Sequence, residues 1–270
     1  MPYAILQQDL DAPPPGGLEK ALKNLQLFTS LDAITLARDA FGILIKDLSL
    51  ADAQLLHHAL KQEGIQNLMV DQQELPPLAP AQKLIKADVT DEALLVYDAL
   101  QRPRRIEWPQ VAMIAAGCVR ITQFKRMEKT VVVNRGTPDG QSIPIERTEV
   151  DYREENRPKC VVEIFAAATP PRYHIDAENF SFACLGDRRQ RGVIPNYMTF
   201  VQGMLRHAPH AVMNRGALRF KQEPCLFFEY PSKHAFEEEI IWQLWQARQR
   251  RTLSAGAPSS ATLPQTSAPS

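Results

Sequence analysis

Phe41 to Asp71, FGILIKDLSLADAQLLHHALKQEGIQNLMVD, reads as a strand, a capped helix and a second strand. Ile43-Leu44-Ile45 is an apolar, β-branched run too short for a helix. Ser49 stands where a helix begins. Its hydroxyl can accept from the orphan backbone N–H groups, Asp52 holds the capping-box position three residues on, and Leu48 can staple onto the first turns. Ala53, Leu56 and Leu60, with Leu55 and Ala59 beside them, recur at three- and four-residue spacing, so one face must be buried. Gly64 ends the helix, because glycine takes the left-handed C′ conformation at little cost. Ile65 to Val70 is the second strand. A right-handed crossover predicts that the two strands are parallel neighbours in one sheet.

Toward the N-terminus, Tyr3 to Leu10 alternates and reads as an opening strand, closed by Asp11-Ala-Pro-Pro-Pro-Gly-Gly. Leu18, Leu22 and Leu25 share one helical face, and Thr29 or Ser30 caps another helix carrying Ile34 and Ala37 before Phe41-Gly42 breaks it. Strand, helix, helix, strand, helix, strand predicts an α+β domain over residues 1–71, one three-stranded sheet covered on one face by helices.

This order, with IKDLSLADAQLLHHALKQEGIQNLMV, resembles the C-terminal domain of the large-subunit ribosomal stalk protein. The resemblance implies a partner-binding helix face, for which Lys20 and Lys23 are the nearest matching positions. The family's Gly-Leu-Lys turn is replaced here by Thr29-Ser30-Leu31-Asp32.

Residues 72–91, rich in Pro and polar side chains and containing Leu75-Pro-Pro-Leu, predict a linker. A mostly antiparallel β domain is expected over 92–251. Leu94 to Asp98 and Arg104 to Trp108 read as a hairpin, Val111 to Phe124 as a long strand bent at Gly117, and Cys160 to Phe165 and Tyr173 to Ala177 as two more. Arg135 to Lys159 lacks apolar periodicity and reads as a long loop. Pro195 to Ala208 is expected to be helical, Leu218 to Phe220 and Leu226 to Phe228 to be strands. Ser232 caps a final helix with Glu237, Glu238 and Glu239 near its start and Arg248, Arg250 and Arg251 at its end, and a stripe of Phe236, Ile240, Ile241, Leu244 and Trp245. The Ser/Ala/Pro-rich 252–270 predicts a disordered tail. Strands closed by a C-terminal helix, with RRIEWPQVAMIAAGCV from Arg104 to Val119, resemble a pleckstrin-homology-like barrel, a shape that implies binding of a lipid, peptide or protein without saying which.

With 44% hydrophobic and 23% charged residues and no net charge, the composition is that of an ordinary globular chain. Seven basic against eleven acidic residues precede Thr90, which disfavours a dedicated nucleic-acid binder without excluding one. The N-terminus has no signal-peptide pattern and no run approaches a bilayer span, so a cytoplasmic location and no membrane insertion are expected. Cys118, Cys160, Cys184 and Cys225 lack CxxC spacing and read as buried free thiols.

No GxSxG, HExxH or Gly-rich phosphate loop occurs. His174 and Asp176 would share one face of a strand as a base and its orienting carboxylate, but no nucleophile is marked. His57-His58 point about 100° apart on a helix, and His207 and His210 have no acidic or Cys partner nearby in sequence, so neither pair predicts a metal site. No cofactor is expected. Arg102, Arg104, Arg105, Lys125, Arg126 and Lys129 form the densest basic cluster, and guanidinium forks there would match a phosphate. A second lies at Arg188, Arg189 and Arg191. The leading expectation is a non-enzymatic protein-interaction or adaptor protein. The alternative is a module binding a phosphorylated ligand, lipid head group or RNA through the basic cluster.

Overall fold

The computed structural model describes residues 1–10, 13–23, 34–36, 40–98, 100–136, 142–167, 172–223 and 228–256. They divide into two units, Met1–Leu78 with Glu238–Ser270, and Ala79–Glu237.

In the first unit Ser49 caps as its position predicts. Its hydroxyl accepts from the Asp52 N–H and donates to the Asp52 carboxylate at 2.6 Å. The helix, α2 (Leu50–Gln62), buries Ala53, Leu56, Ala59 and Leu60, while Leu55 faces solvent. Gly64 follows in the left-handed region at φ 75°. Strands β1 (Tyr3–Gln7), β2 (Ile43–Leu48) and β3 (Asn67–Asp71) form the sheet in the order β2-β1-β3. The two strands flanking α2 are therefore not neighbours. β1 lies between them, antiparallel to both, and supplies the central ladder.

The sheet is covered on both faces, not one. Leu18 and Leu22 of α1 (Pro15–Lys23) join Leu56 and Leu60 over Ile5, Leu44 and Ile45. On the other face Ala4, Leu6, Ile43 and Val70 meet Trp242 and Trp245 of the final helix. The Trp242 indole N–H donates to the Gln7 carbonyl at 2.8 Å, and Lys46 pairs with Glu238. The second predicted helix is described only at 34–36; its caps at Thr29 or Ser30 lie outside the described residues.

The expected boundaries shift accordingly. The first unit runs to Leu78. The expected linker holds two strands of the second unit, β4 (Gln82–Leu84) and β5 (Ala87–Val89). The final helix, α5 (Lys233–Gly256), changes unit at Glu237/Glu238 because its tryptophans belong to the first unit's core. It continues through 252–256, and the remainder of the expected tail lies outside the described residues.

The second unit contains an antiparallel three-stranded sheet of β5, β6 (Ala93–Tyr97) and β7 (Pro103–Glu107), with the predicted hairpin as its second half. Its larger sheet uses β8 (Val111–Gly136), β9 (Ser142–Ala166), β10 (Arg172–Asp176), β11 (Val212–Met213) and β12 (Glu229–Tyr230). The order is β11-β8-β9-β10-β4, with β12 also on β8, so the described strands form open sheets rather than a closed barrel. β4, β11 and β12 pair in parallel, making this sheet mixed. One face of it packs on α3 (Val193–His207) through Tyr197, Phe200, Val201 and Met204, against Val162, Ile164, Tyr173 and Ile175.

Two sequence expectations fail here for identifiable reasons. Arg135 to Lys159 is not a loop but mostly β9, paired to β8 in unbroken register from Met113↔Phe165 to Gly136↔Ser142. At 126–130 and 147–152 the two-stranded ribbon is exposed on both faces, so no apolar periodicity marks it there. Leu218 to Phe220 is helical, inside α4 (Arg215–Gln222), because Asn214 caps it by accepting from the Ala217 N–H.

Asn214 also accepts from the Ala116 N–H, donates back to the Ala116 carbonyl at 3.1 Å, and donates to the Tyr230 hydroxyl at 2.7 Å. This places Gly216 against β8 so closely that an added Cβ would collide with the Ala116 carbonyl oxygen. Gly216→Ala should therefore lower stability by about 1–3 kcal/mol, the usual range for overpacking. A denaturant midpoint equal to that of the wild type would show that α4 can step away from β8.

Cys118 and Cys160 lie directly opposite across β8 and β9 and form a disulfide, which corrects the reading of both as free thiols. Cys184 is free, and burial pushes its thiol up to about 11. Cys225 lies outside the described residues. Disulfides persist in oxidising compartments and are rare in the cytosol, so the bond weighs against the cytoplasmic expectation. Among the described residues no helix is long and apolar enough to cross a membrane.

Candidate functional site

β10 is Arg-Tyr-His-Ile-Asp, and alternation sends its residues to opposite faces. Tyr173 and Ile175 enter the core against Ile164 and Val162 of β9. Arg172, His174 and Asp176 take the other face beside Phe165, Glu163 and Val161. Lys83 of β4 lies next to His174 in the parallel register, so Lys83, His174 and Glu163 form one row across three strands.

That face carries a cavity of about 320 Å³, bounded also by Lys159, Val119 and Ile121 and by Lys233, Phe236 and Glu237 from the start of α5. Helix capping fixes this last edge: the Ser232 hydroxyl accepts from the Ala235 N–H, as the sequence predicts.

Glu163 is the centre of the site. It is 2% exposed in a strand whose neighbours are otherwise apolar. Arg172 grips it with both arms of the fork, Nε to Oε2 at 2.9 Å and Nη2 to Oε1 at 3.0 Å. The same guanidinium donates to Glu237 at 3.2 Å and to the Ala79 carbonyl at 3.3 Å. Burial works against the charge of Arg172, but hydrogen bonding and charge from Glu163, then Glu237, outweigh it and raise its pKa.

His174 Nδ1 lies 2.8 Å from Glu163 Oε1. A carboxylate paired with a guanidinium is an acceptor only, so His174 donates from Nδ1. The ring is thereby oriented, and Nε2 has no partner among the described residues. Neutral, Nε2 accepts a proton or a hydrogen bond; protonated, it donates to an anion.

No family model matches this chain, and neither does any curated protein or solved structure.

The sequence-predicted pair of His174 and Asp176 is brought to one face, but Asp176 is not the orienting carboxylate. It caps the following turn, accepting from the Glu178 N–H and from Asn179, with Lys159 at 3.8 Å. Glu163 takes that role because it lies directly across the ladder. The predicted basic cluster divides between two sheets: β7 pairs with β6, not with β8. Arg102 pairs with Asp98, Arg105 with Glu92 and Arg126 with Glu128, while Arg104 lies in β7 and Lys125 and Lys129 in β8. A hydrogen bond from the Arg102 backbone, joined by those from its side chain and from the Leu100 backbone, holds the Asp98 carboxyl below its ordinary value against desolvation.

In the first unit Lys20 pairs with Glu63 at 3.5 Å, and Lys23 is the last residue of α1. His57 is hydrogen-bonded to Asn67, and His207 stacks on Trp108. Arg189 and Arg191 border a separate surface cleft. No group of three metal-ligating side chains occurs among the described residues.

Proposed function

We propose that the second unit is a non-catalytic receptor for a small anion, a carboxylate or phosphate, held on the face formed by Lys83, Lys159, His174 and Lys233. The observation that carries this reading is the buried Glu163, fixed by Arg172 and fixing His174 in turn, with Nε2 left for a ligand. A buried ion pair is weak support for stability but strong support for orientation.

Among the described residues four permanent cations border the cavity against three carboxylates, and Lys83 has no carboxylate partner. The Lys159 contacts to Asp176 and Glu178 are both 3.8 Å, long enough for a ligand oxygen to compete. The volume suits a small metabolite rather than a chain. Among the described residues no hydroxyl or thiol side chain borders it, so binding without covalent turnover fits its chemistry better than acyl or phosphoryl transfer. The expected phosphate-class ligand is retained; its site moves from the basic cluster to this cavity. A protein-interaction role draws its support from a different feature, the β8–β9 ribbon.

Isothermal titration of the full chain with inorganic phosphate, and separately with citrate, tests the reading. Saturable binding of one equivalent of either is expected, weakened at least about tenfold by Lys83→Ala, which removes a charge-assisted contact, and by His174→Ala, which removes the oriented ring that faces the ligand. No saturable heat with either anion, or binding indifferent to both substitutions, overturns it.

A further inference from the structure

Beyond the sheet, β8 and β9 continue alone. The last neighbours of β8 are β12 at Cys118 and Val119, and β10 leaves β9 at Val161. From Ile121↔Arg157 to Gly136↔Ser142 the ribbon has two strands and, among the described strands, no third. At about 3.3 Å per residue it is about 50 Å long. Two-stranded ribbons are marginal in water, and each unpaired edge presents a row of free N–H and C=O groups.

The hydrogen bonds at the base show which groups point outward. The Ala116 and Cys118 N–H groups are directed away from β9, to Asn214 and to the Phe228 carbonyl. Even-numbered positions of β8 therefore carry outward N–H groups along the ribbon, as do their even-numbered partners on β9. Pro144 and Pro158, opposite Asn134 and Arg120, fall in that class and lack the donor, leaving the β9 edge usable between them. No proline or bulge interrupts β8 after Met113.

Charge differs between the strands. Along the ribbon β8 has Lys125, Arg126, Lys129 and Arg135 against Glu128, whereas β9 has Glu146, Glu149, Asp151, Glu154 and Glu155 against three arginines. Like edges repel and unlike edges attract. Met127, Val150 and Tyr152 add exposed apolar surface on both faces, with 63% of Tyr152 exposed.

We infer that this ribbon is a self-association arm that adds strand to strand between copies of this chain, the β8 edge of one copy lying against the β9 edge of the next. The pairing is heterologous, so it closes into a ring or extends as an open array rather than stopping at a two-fold dimer.

Sedimentation of the full chain over a concentration series tests it. Mass should rise with concentration in about 50 mM salt and fall back in about 500 mM, where surface charges are screened. Glu128→Pro removes an outward N–H while leaving the β8–β9 ladder intact, and should give a monomer. Arg126→Glu on β8 and Asp151→Lys on β9 change only exposed side chains, and their register partners within the chain, Tyr152 and Met127, are uncharged. Each variant should be monomeric alone, and mixing the two should restore association. A wild type monomeric at every concentration, a dimer unaffected by the β9 variant, or a mixture that stays monomeric overturns the inference.

Discussion

Glu163→Ala should cost the protein about 3–5 kcal/mol, the range for removing one partner of a buried ion pair. The loss arises from what remains. Arg172 stays buried at 6% exposure with Glu237 as its remaining carboxylate, and His174 loses the acceptor that orients it. Urea unfolding followed by near-ultraviolet circular dichroism measures it. Glu163→Gln keeps the shape and an acceptor oxygen but not the charge, and should fall between the wild type and the alanine variant. Combining Glu163→Ala with Arg172→Leu should recover part of the loss, because the uncompensated guanidinium is gone. A single-variant loss below about 1 kcal/mol would mean that water reaches Arg172 and that the pair does not organise the cavity.

Removing the disulfide should have a comparable effect. Cys118 and Cys160 close a loop of 42 residues, for which the loop-entropy relation gives about 4 kcal/mol. The double variant Cys118→Ala with Cys160→Ala should lose about that much in denaturant unfolding, and a reducing agent should bring the wild type to the same midpoint. Mapping the unreduced, alkylated chain must recover the two cysteines in one cross-linked peptide pair. Recovery of both as separate alkylated thiols would restore the reading of them as free.

The first unit was largely legible from sequence because its signals are local. Ser49, Asp52 and Gly64 sit within one helix and its ends, and each acts on backbone groups a few residues away. What could not be read was the long-range part. Nothing near Phe41 to Asp71 says that Tyr3 to Gln7 inserts between β2 and β3, or that Trp242 closes the far face.

In the second unit β9 leaves no mark in the sequence, because a ribbon exposed on both faces at 126–130 and 147–152 has no apolar period there, and without β9 the pairing of Cys118 with Cys160 is not readable. His174 is readable as a polar residue in an alternating strand, but its partner lies across the ladder, where proximity in sequence does not point. A usable signal did exist. Glu163 is the one charged residue in Cys160-Val-Val-Glu-Ile-Phe, and a lone carboxylate in an apolar strand demands a buried cation. Arg172, in the next strand, answers it. The cationic border of Lys83, Lys159 and Lys233 was not readable, since it exists only once three distant segments share one face.

The division of α5 has a consequence for the order in which the molecule forms. Synthesis proceeds from the N-terminus, and domains tend to fold as their residues emerge. The second unit is one continuous stretch and is complete at Glu237. The first begins to emerge earlier, yet Trp242 and Trp245 come some 160 residues after Leu78, so the unit translated first is finished last. Until then Ala4, Leu6, Ile43 and Val70 lack their tryptophan cover, and a nascent chain stalled before Glu238 presents that bare apolar surface to chaperones.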